Sequence, residues 1–140
     1  MIKNEINSMD ERLGKEYKLC SRKRIQLVFK EGKTVRSFPF TCSYSKIESD
    51  SKTPFQIVVS APKRLFRKAH DRNYVKRLMK EAIRKNKLTL ETFLEVNQLQ
   101  LDLFLVYSSK EVLELNRLTQ SIEKLFKTII HEFEKAKIEY

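Results

Sequence analysis

Between Asp71 and Lys85 the chain runs without glycine or proline, and its side chains divide into two kinds at a helical period. Projected at about 100° per residue, Val75, Leu78, Met79, Ala82 and Ile83 form one apolar stripe. Asn73, Lys76, Arg77, Lys80 and Arg84 gather on the opposite side. A helix divided in this way docks its stripe on a core and leaves its other face in solvent. Asp71 is a suitable N-cap for it. The rest of the chain must therefore supply an apolar surface broad enough to receive the stripe.

The flanking segments predict such a surface. From Ser21, a capping residue, Ile25, Val28 and Phe29 recur at i, i+3, i+4 before Gly32, which gives a short helix with Arg22, Lys23 and Arg24 at its start. Phe38, Phe40, Cys42 and Tyr44 alternate with Pro39, Thr41 and Ser43, the period of a half-buried strand, and Pro39 places its start or an edge. A polar turn from Glu48 to Thr53 leads to a second strand over Phe55–Val59, and the two are expected to pair as a hairpin. Leu90, Phe93 and Leu94 indicate a further helical stretch, and Leu101–Tyr107, almost continuously apolar, an interior strand. Leu118, Ile122, Leu125, Phe126, Ile129 and Phe133 then share one face of a long C-terminal helix and read as core packing. The order α, β, β, α, β, α predicts an α+β fold, a two-layer α/β sandwich of helices on a small sheet. Residues 1–16 lack apolar periodicity and are expected to form a flexible extension, with a single domain over 17–140.

Charge is distributed as unevenly as apolarity. The net charge is +11, from 29 Lys and Arg against 18 Asp and Glu. Residues 60–87 hold 11 basic and 2 acidic side chains, so nine of the eleven excess charges lie in one fifth of the chain. A surface that served only solubility would intersperse the signs. Lys76, Lys80 and Arg84 repeat at i, i+4, i+8, which costs a helix about 0.2–0.5 kcal/mol per like-charged pair. Glu81 offsets part of that cost. Such a face fits phosphates, Arg through its planar fork and Lys as a point charge. Lys63, Arg64, Arg67 and Lys68 extend it before the helix. Arg72 and Asn73, read as first-turn residues, would hold an anion with the free backbone N–H groups, or Asn73 would support the cap.

Other chemistries are excluded. Two glycines, Gly14 and Gly32, leave no GxGxxG or P-loop. Cys20 and Cys42 have no CxxC spacing, and with His70 and His131 they form neither a zinc motif nor a disulfide framework, so no metal site is expected. No run of about 18 apolar residues and no signal-like N-terminus occurs, which predicts a cytoplasmic protein without membrane contact. Asp71 and Glu81, the acids of the basic region, have capping and ion pairing as sufficient roles, so no catalytic residue is assigned.

The run Arg72-Asn73-Tyr74-Val75-Lys76-Arg77-Leu78-Met79-Lys80-Glu81-Ala82-Ile83-Arg84 resembles the Arg-Asn signature helix of the bacterial ribonuclease P protein subunit. The likeness extends to Lys18-Leu19, Val28-Phe29 with Gly32, Val59-Ser60 and the strand ending in Tyr107, roughly residues 17–134. Ile25 stands where that family often carries an aromatic residue. The resemblance implies a left-handed βαβ crossover, against the general rule. It also implies a basic protein, monomeric in a 1:1 ribonucleoprotein, that binds a catalytic RNA subunit and the 5′ leader of precursor tRNA. In such a tRNA-processing endoribonuclease the RNA carries out hydrolysis with Mg2+, and the protein itself holds no tight cofactor. Phe29, Phe40 and Tyr44 are the candidates for lining the leader cleft, since aromatic rings stack on unpaired bases, although Phe29 completes the Ile25–Val28 face and Phe40 alternates with Cys42, a spacing that favours core packing over a stacking platform. The alternative function is that of a ribosomal or ribosome-associated RNA-binding protein, which would not discriminate precursor from mature tRNA.

Overall fold

The structure, a computed structural model, describes residues 13–48 and 52–138. Its elements are a 3-10 turn at Lys15–Tyr17, α1 (Arg22–Glu31), β1 (Lys33–Ser37), β2 (Phe40–Ile47), β3 (Phe55–Ser60), α2 (Ala69–Val96), β4 (Gln100–Tyr107) and α3 (Leu115–Ile138). The strands form one mixed sheet in the order β1-β2-β4-β3. β2 pairs antiparallel with β1 and β4, and β3 lies parallel to β4. The α+β sandwich is as the sequence predicts, with β4 interior and β3–α2–β4 a parallel crossover.

The expected hairpin between the Phe40 and Phe55 strands does not form. β2 turns back instead onto β1, through the cis peptide Phe38-Pro39, and β4 inserts between β2 and β3. β4 is apolar on nearly every residue and is best satisfied with a strand on each side. α2 also differs from expectation. It is one helix of 28 residues that absorbs the separate stretch foreseen near Leu90, and it begins at Ala69 after Lys68 rather than after Asp71. Asp71 still lies in its first turn, favourably placed for the helix dipole. At its end Gln98 adopts a φ of 54° and the Leu99 N–H donates to Leu94 O at 2.8 Å, closing the last turn.

Strand alternation assigns the two sheet faces. Phe40, Cys42, Tyr44, Phe55, Ile57, Leu101, Leu103, Leu105 and Tyr107 face α2 and α3 and are buried. The α2 stripe packs there as predicted, with Val75, Met79, Ala82 and Ile83 fully buried and Leu78 at the margin. α3 contributes Leu118, Ile122, Leu125, Phe126 and Ile129 to the same core. Asn86, buried between the two helices, donates from Nδ2 to Ala82 O and Thr119 O, both at 2.9 Å. Thus α2 and α3 form one layer.

α1 packs on the other face. Ser21 accepts a hydrogen bond from the Arg24 N–H at 3.3 Å, as a cap should. Arg24 then reaches β4, where Nε donates to Asp102 Oδ2 at 2.8 Å and Nη2 to Oδ1. Gly32 ends α1 against backbone: a Cβ there would stand 2.3 Å from Val28 O and 2.9 Å from Tyr44 O. Neither carbonyl can swing away, so Gly32→Ala is expected to destabilise the protein by about 1–3 kcal/mol, read as a lower urea midpoint at unchanged m-value.

Residues 1–12 of the expected extension lie outside the described residues, as do residues 49–51 of the Glu48–Thr53 turn. Residues 13–16 belong to the packed domain. Leu13 touches the core, Tyr17 is buried, and Thr53 Oγ1 and Gln56 Nε2 both donate to Glu16 O. The chain then runs beside β3, where the Leu19 N–H donates to Ile57 O at 3.0 Å.

Both cysteines are free, Cys20 exposed and Cys42 buried. Burial pushes the Cys42 thiol from 9.0 up to about 12. A thiol reagent at pH 8 is expected to modify one cysteine in the folded protein and two after denaturation. Because the folded thiol holds its proton more tightly than the unfolded one, its stabilising effect is complete below pH 9 and fades as pH rises toward 12.

Candidate nucleic-acid interface

The outer face of α2 and the crossover before it carry the predicted cations. Lys63, Arg64, Arg67, Lys68, Asn73, Arg77 and Lys80 are exposed, and Lys76 is half-buried. Arg72 and Arg84, also expected from sequence to meet RNA, have internal partners. Arg72 donates from Nη1 to Phe66 O at 3.0 Å and Arg67 O at 2.9 Å, which braces the crossover loop. Its own N–H is already bonded to Lys68 O, because the helix starts earlier than the sequence predicts. The expected anion site on free N–H groups at Arg72 and Asn73 is therefore not formed. Arg84 pairs with Glu81 through Nε at 2.9 Å and Nη2 at 2.6 Å, which holds the Glu81 carboxyl below the usual carboxylate range.

Lys76 and Lys80 border a crevice of about 380 Å³ between α2 and the outer edge of β3, and Lys15 and Lys18 stand on its opposite wall. The sequence gives Lys15 and Lys18 no role, because nothing local to residues 15–18 shows that this segment runs alongside β3. Deeper in the same interface Lys87 is buried over the Tyr17 ring at 4.7 Å, and Tyr17 Oη donates to Glu91 Oε2 at 2.5 Å. Burial and the Glu91 carboxylate raise the Tyr17 phenol well above its ordinary value.

The three aromatic candidates for the cleft separate. Phe40 and Tyr44 retain 2% and 3% of their surface, Phe40 edge-on to Tyr107 at 5.5 Å and Tyr44 against Phe133 at 5.9 Å. Both point into the core, since even positions of β2 face α2 and α3, and neither can meet a base. Phe29 is 66% exposed, and its ring lies 5.7 Å from Phe104 on the opposite face. The residues beneath it follow from the register. Ser43 pairs with Phe104 and Phe104 with Val58; Thr41 pairs with Val106 and Val106 with Ser60. All six are half-buried and lie on the face away from the core. They form a half-buried strip of sheet surface beside Phe29 on α1. Phe104 is concealed in the sequence by the apolar run Leu103–Tyr107 of β4, which hides the alternation of faces.

Among the described residues no group of three or more His, Cys, Asp and Glu side chains is placed to hold a metal ion. No helix among them is long and apolar enough to cross a membrane.

The ribonuclease P family model matches residues 13–130. The ribonuclease P protein component of Porphyromonas gingivalis is 32% identical over 113 residues, spanning 80% of this chain and 82% of that protein. Among solved structures, the ribonuclease P protein of Thermotoga maritima superposes with a TM-score of 0.63 at 21% identity, over 79% of this chain and 96% of the other. That of Staphylococcus aureus gives 0.57 at 19% identity, over 81% and 94%. The two structures share the fold, and the family match begins at residue 13, where the described residues begin. The length of the match, the identity to the Porphyromonas protein and the helix of segregated charge agree: this chain belongs to the ribonuclease P protein component family.

Proposed function

We propose that the protein is the RNA-binding accessory subunit of ribonuclease P, binding the catalytic RNA through the basic face of α2 and its crossover, and holding the 5′ leader of precursor tRNA along the strip beside Phe29, which would serve with α1 as a groove. The observation that carries the leader assignment is the exposed Phe29 ring set against Phe104 over the non-core face of the sheet. A groove with an aromatic wall and a floor of small polar and apolar side chains accepts an unpaired strand by stacking without demanding one base sequence. The crossover cations Lys63 and Arg64 follow Ser60, at the Val106 end of the floor, where they can track the backbone of the strand. Hydrolysis belongs to the RNA, with Mg2+ supplying charge to the phosphate undergoing cleavage. The protein's part is to bind and position in a 1:1 complex.

Cleavage of precursor tRNA by the cognate RNA at low Mg2+, with and without the protein, tests the assembly: the protein alone should be inactive and the mixture faster than the RNA alone. Phe29→Leu tests the groove. Because Phe29 is exposed, thermal stability should stay nearly constant while affinity for leader-bearing tRNA falls several-fold and affinity for leaderless tRNA holds. Equal losses on both substrates would remove Phe29 from leader binding.

A further inference from the structure

Tyr74 differs from the aromatic residues near it. Phe66 and Tyr107 are buried, whereas Tyr74 leaves 54% of its surface in solvent, one position from the fully buried Val75. It borders a recess of about 440 Å³ between the start of α2 and the loop from β4 to α3, a recess that Phe66 and Val112 also line. Arg67, Lys68 and Lys110 stand around it with one carboxylate, Asp71. Asp71 Oδ1 lies 3.0 Å from His70 Nε2. The local charge is therefore positive.

Both walls are fixed from within. Arg72 holds the carbonyls of Phe66 and Arg67, which sets the crossover side. On the loop side the buried Tyr107 hydroxyl donates to Glu111 O at 2.8 Å and accepts from the Leu113 N–H at 2.9 Å, bracketing Val112. Phe66 and Tyr107 meet edge to face at 5.7 Å and join the two sides. A recess whose walls are already ordered spends little binding energy on arranging itself.

A flat apolar surface beside three cations suits a flat heterocycle joined to a phosphate. Duplex RNA keeps its base faces stacked inside and could not use Tyr74; an unpaired nucleotide can. An acidic peptide would use the cations and leave the ring uncovered. We infer that the recess between Tyr74 and Val112 holds one unpaired nucleotide of the bound RNA, its base stacked on Tyr74 and its phosphate met by Arg67, Lys68 and Lys110. This rests on the reading of the chain as an RNA-binding subunit, and it describes a second contact, on the helix side of the sheet, away from the groove under α1.

The test is the affinity of the full chain for the cognate catalytic RNA, measured over a range of salt concentrations for the unaltered protein, Tyr74→Phe and Tyr74→Leu, with thermal melts beside them. Stacking predicts that the Leu variant binds about tenfold more weakly, that the Phe variant binds within twofold of the original, and that neither changes the salt slope. Lys110→Gln should lower the slope by about one. Unchanged binding by Tyr74→Leu would overturn the inference, as would equal losses for Phe and Leu, which would reveal a hydroxyl contact instead. Retained RNA affinity with loss of a polyglutamate peptide by Lys110→Gln would assign the recess to an acidic peptide and overturn it as well. Absence of salt-dependent RNA binding by the unaltered protein would defeat the functional reading, and the recess with it.

Discussion

Arg24→Met is expected to lower stability by about 3 kcal/mol, roughly 10 °C in Tm for a domain of this size. The Asp102 side chain is 2% exposed and that of Arg24 31%, so the substitution strands a carboxylate that solvent cannot reach. Hydrogen bonding to that carboxylate is also what raises the Arg24 guanidinium above its ordinary value. The destabilisation should shrink in the double variant Arg24→Met with Asp102→Leu, because removing both charges removes the stranded one. A double variant as unstable as the single would show that packing of the Arg24 stem, rather than the charge, holds α1 in place. Since α1 carries Phe29, the pair also links stability to the groove: a loosened α1 should weaken leader binding before the sheet itself melts.

The largest functional effect is expected from replacing Lys76, Arg77 and Lys80 together with Gln. Removing one cation from a phosphate lowers the salt slope by about 0.9, which near 0.1 M salt amounts to almost tenfold in affinity. The triple variant should therefore bind the catalytic RNA two to three orders of magnitude more weakly, about 3–4 kcal/mol, while its melting curve stays close to that of the original. Arg84→Gln should do much less, because Arg84 is already engaged with Glu81. A triple variant that unfolds would mean that the cationic face also supports the core. Comparable weakening from Arg84 alone would place the RNA further toward the middle of α2.

The helices are legible in the sequence because their signals are local. Ser21 to Gly32 carries its own cap, stripe and stop, and the α2 stripe repeats without interruption. β1 escapes such a reading because Lys33-Thr34-Val35-Arg36-Ser37 offers one apolar residue and no alternation; it is a strand because β2 folds back on it. The strand pairing is hidden for a related reason. Nearness in sequence favours a hairpin, but the insertion of β4 depends on pairing across about fifty residues that no local pattern encodes. In the site, residue type alone identifies the exposed cations, while Arg72 and Arg84 are indistinguishable in sequence from cations without an internal partner. Phe29 is separated from Phe40 and Tyr44 by which sheet face each side chain takes, and that depends on register.

The segment from Lys18 to Leu19 also governs how the free chain behaves among its own copies. Sheets grow by adding strands at bare margins, and one margin here, β3, is bridged at its middle, at Ile57, by the backbone of this segment. The other, β1, is five residues long and displays Lys33 and Arg36 to solvent. A short, charged margin on one side and an interrupted one on the other give a second molecule little to copy. Resistance to aggregation is thus built into the periphery of the sheet, and a cationic protein can remain dispersed until a polyanion engages it.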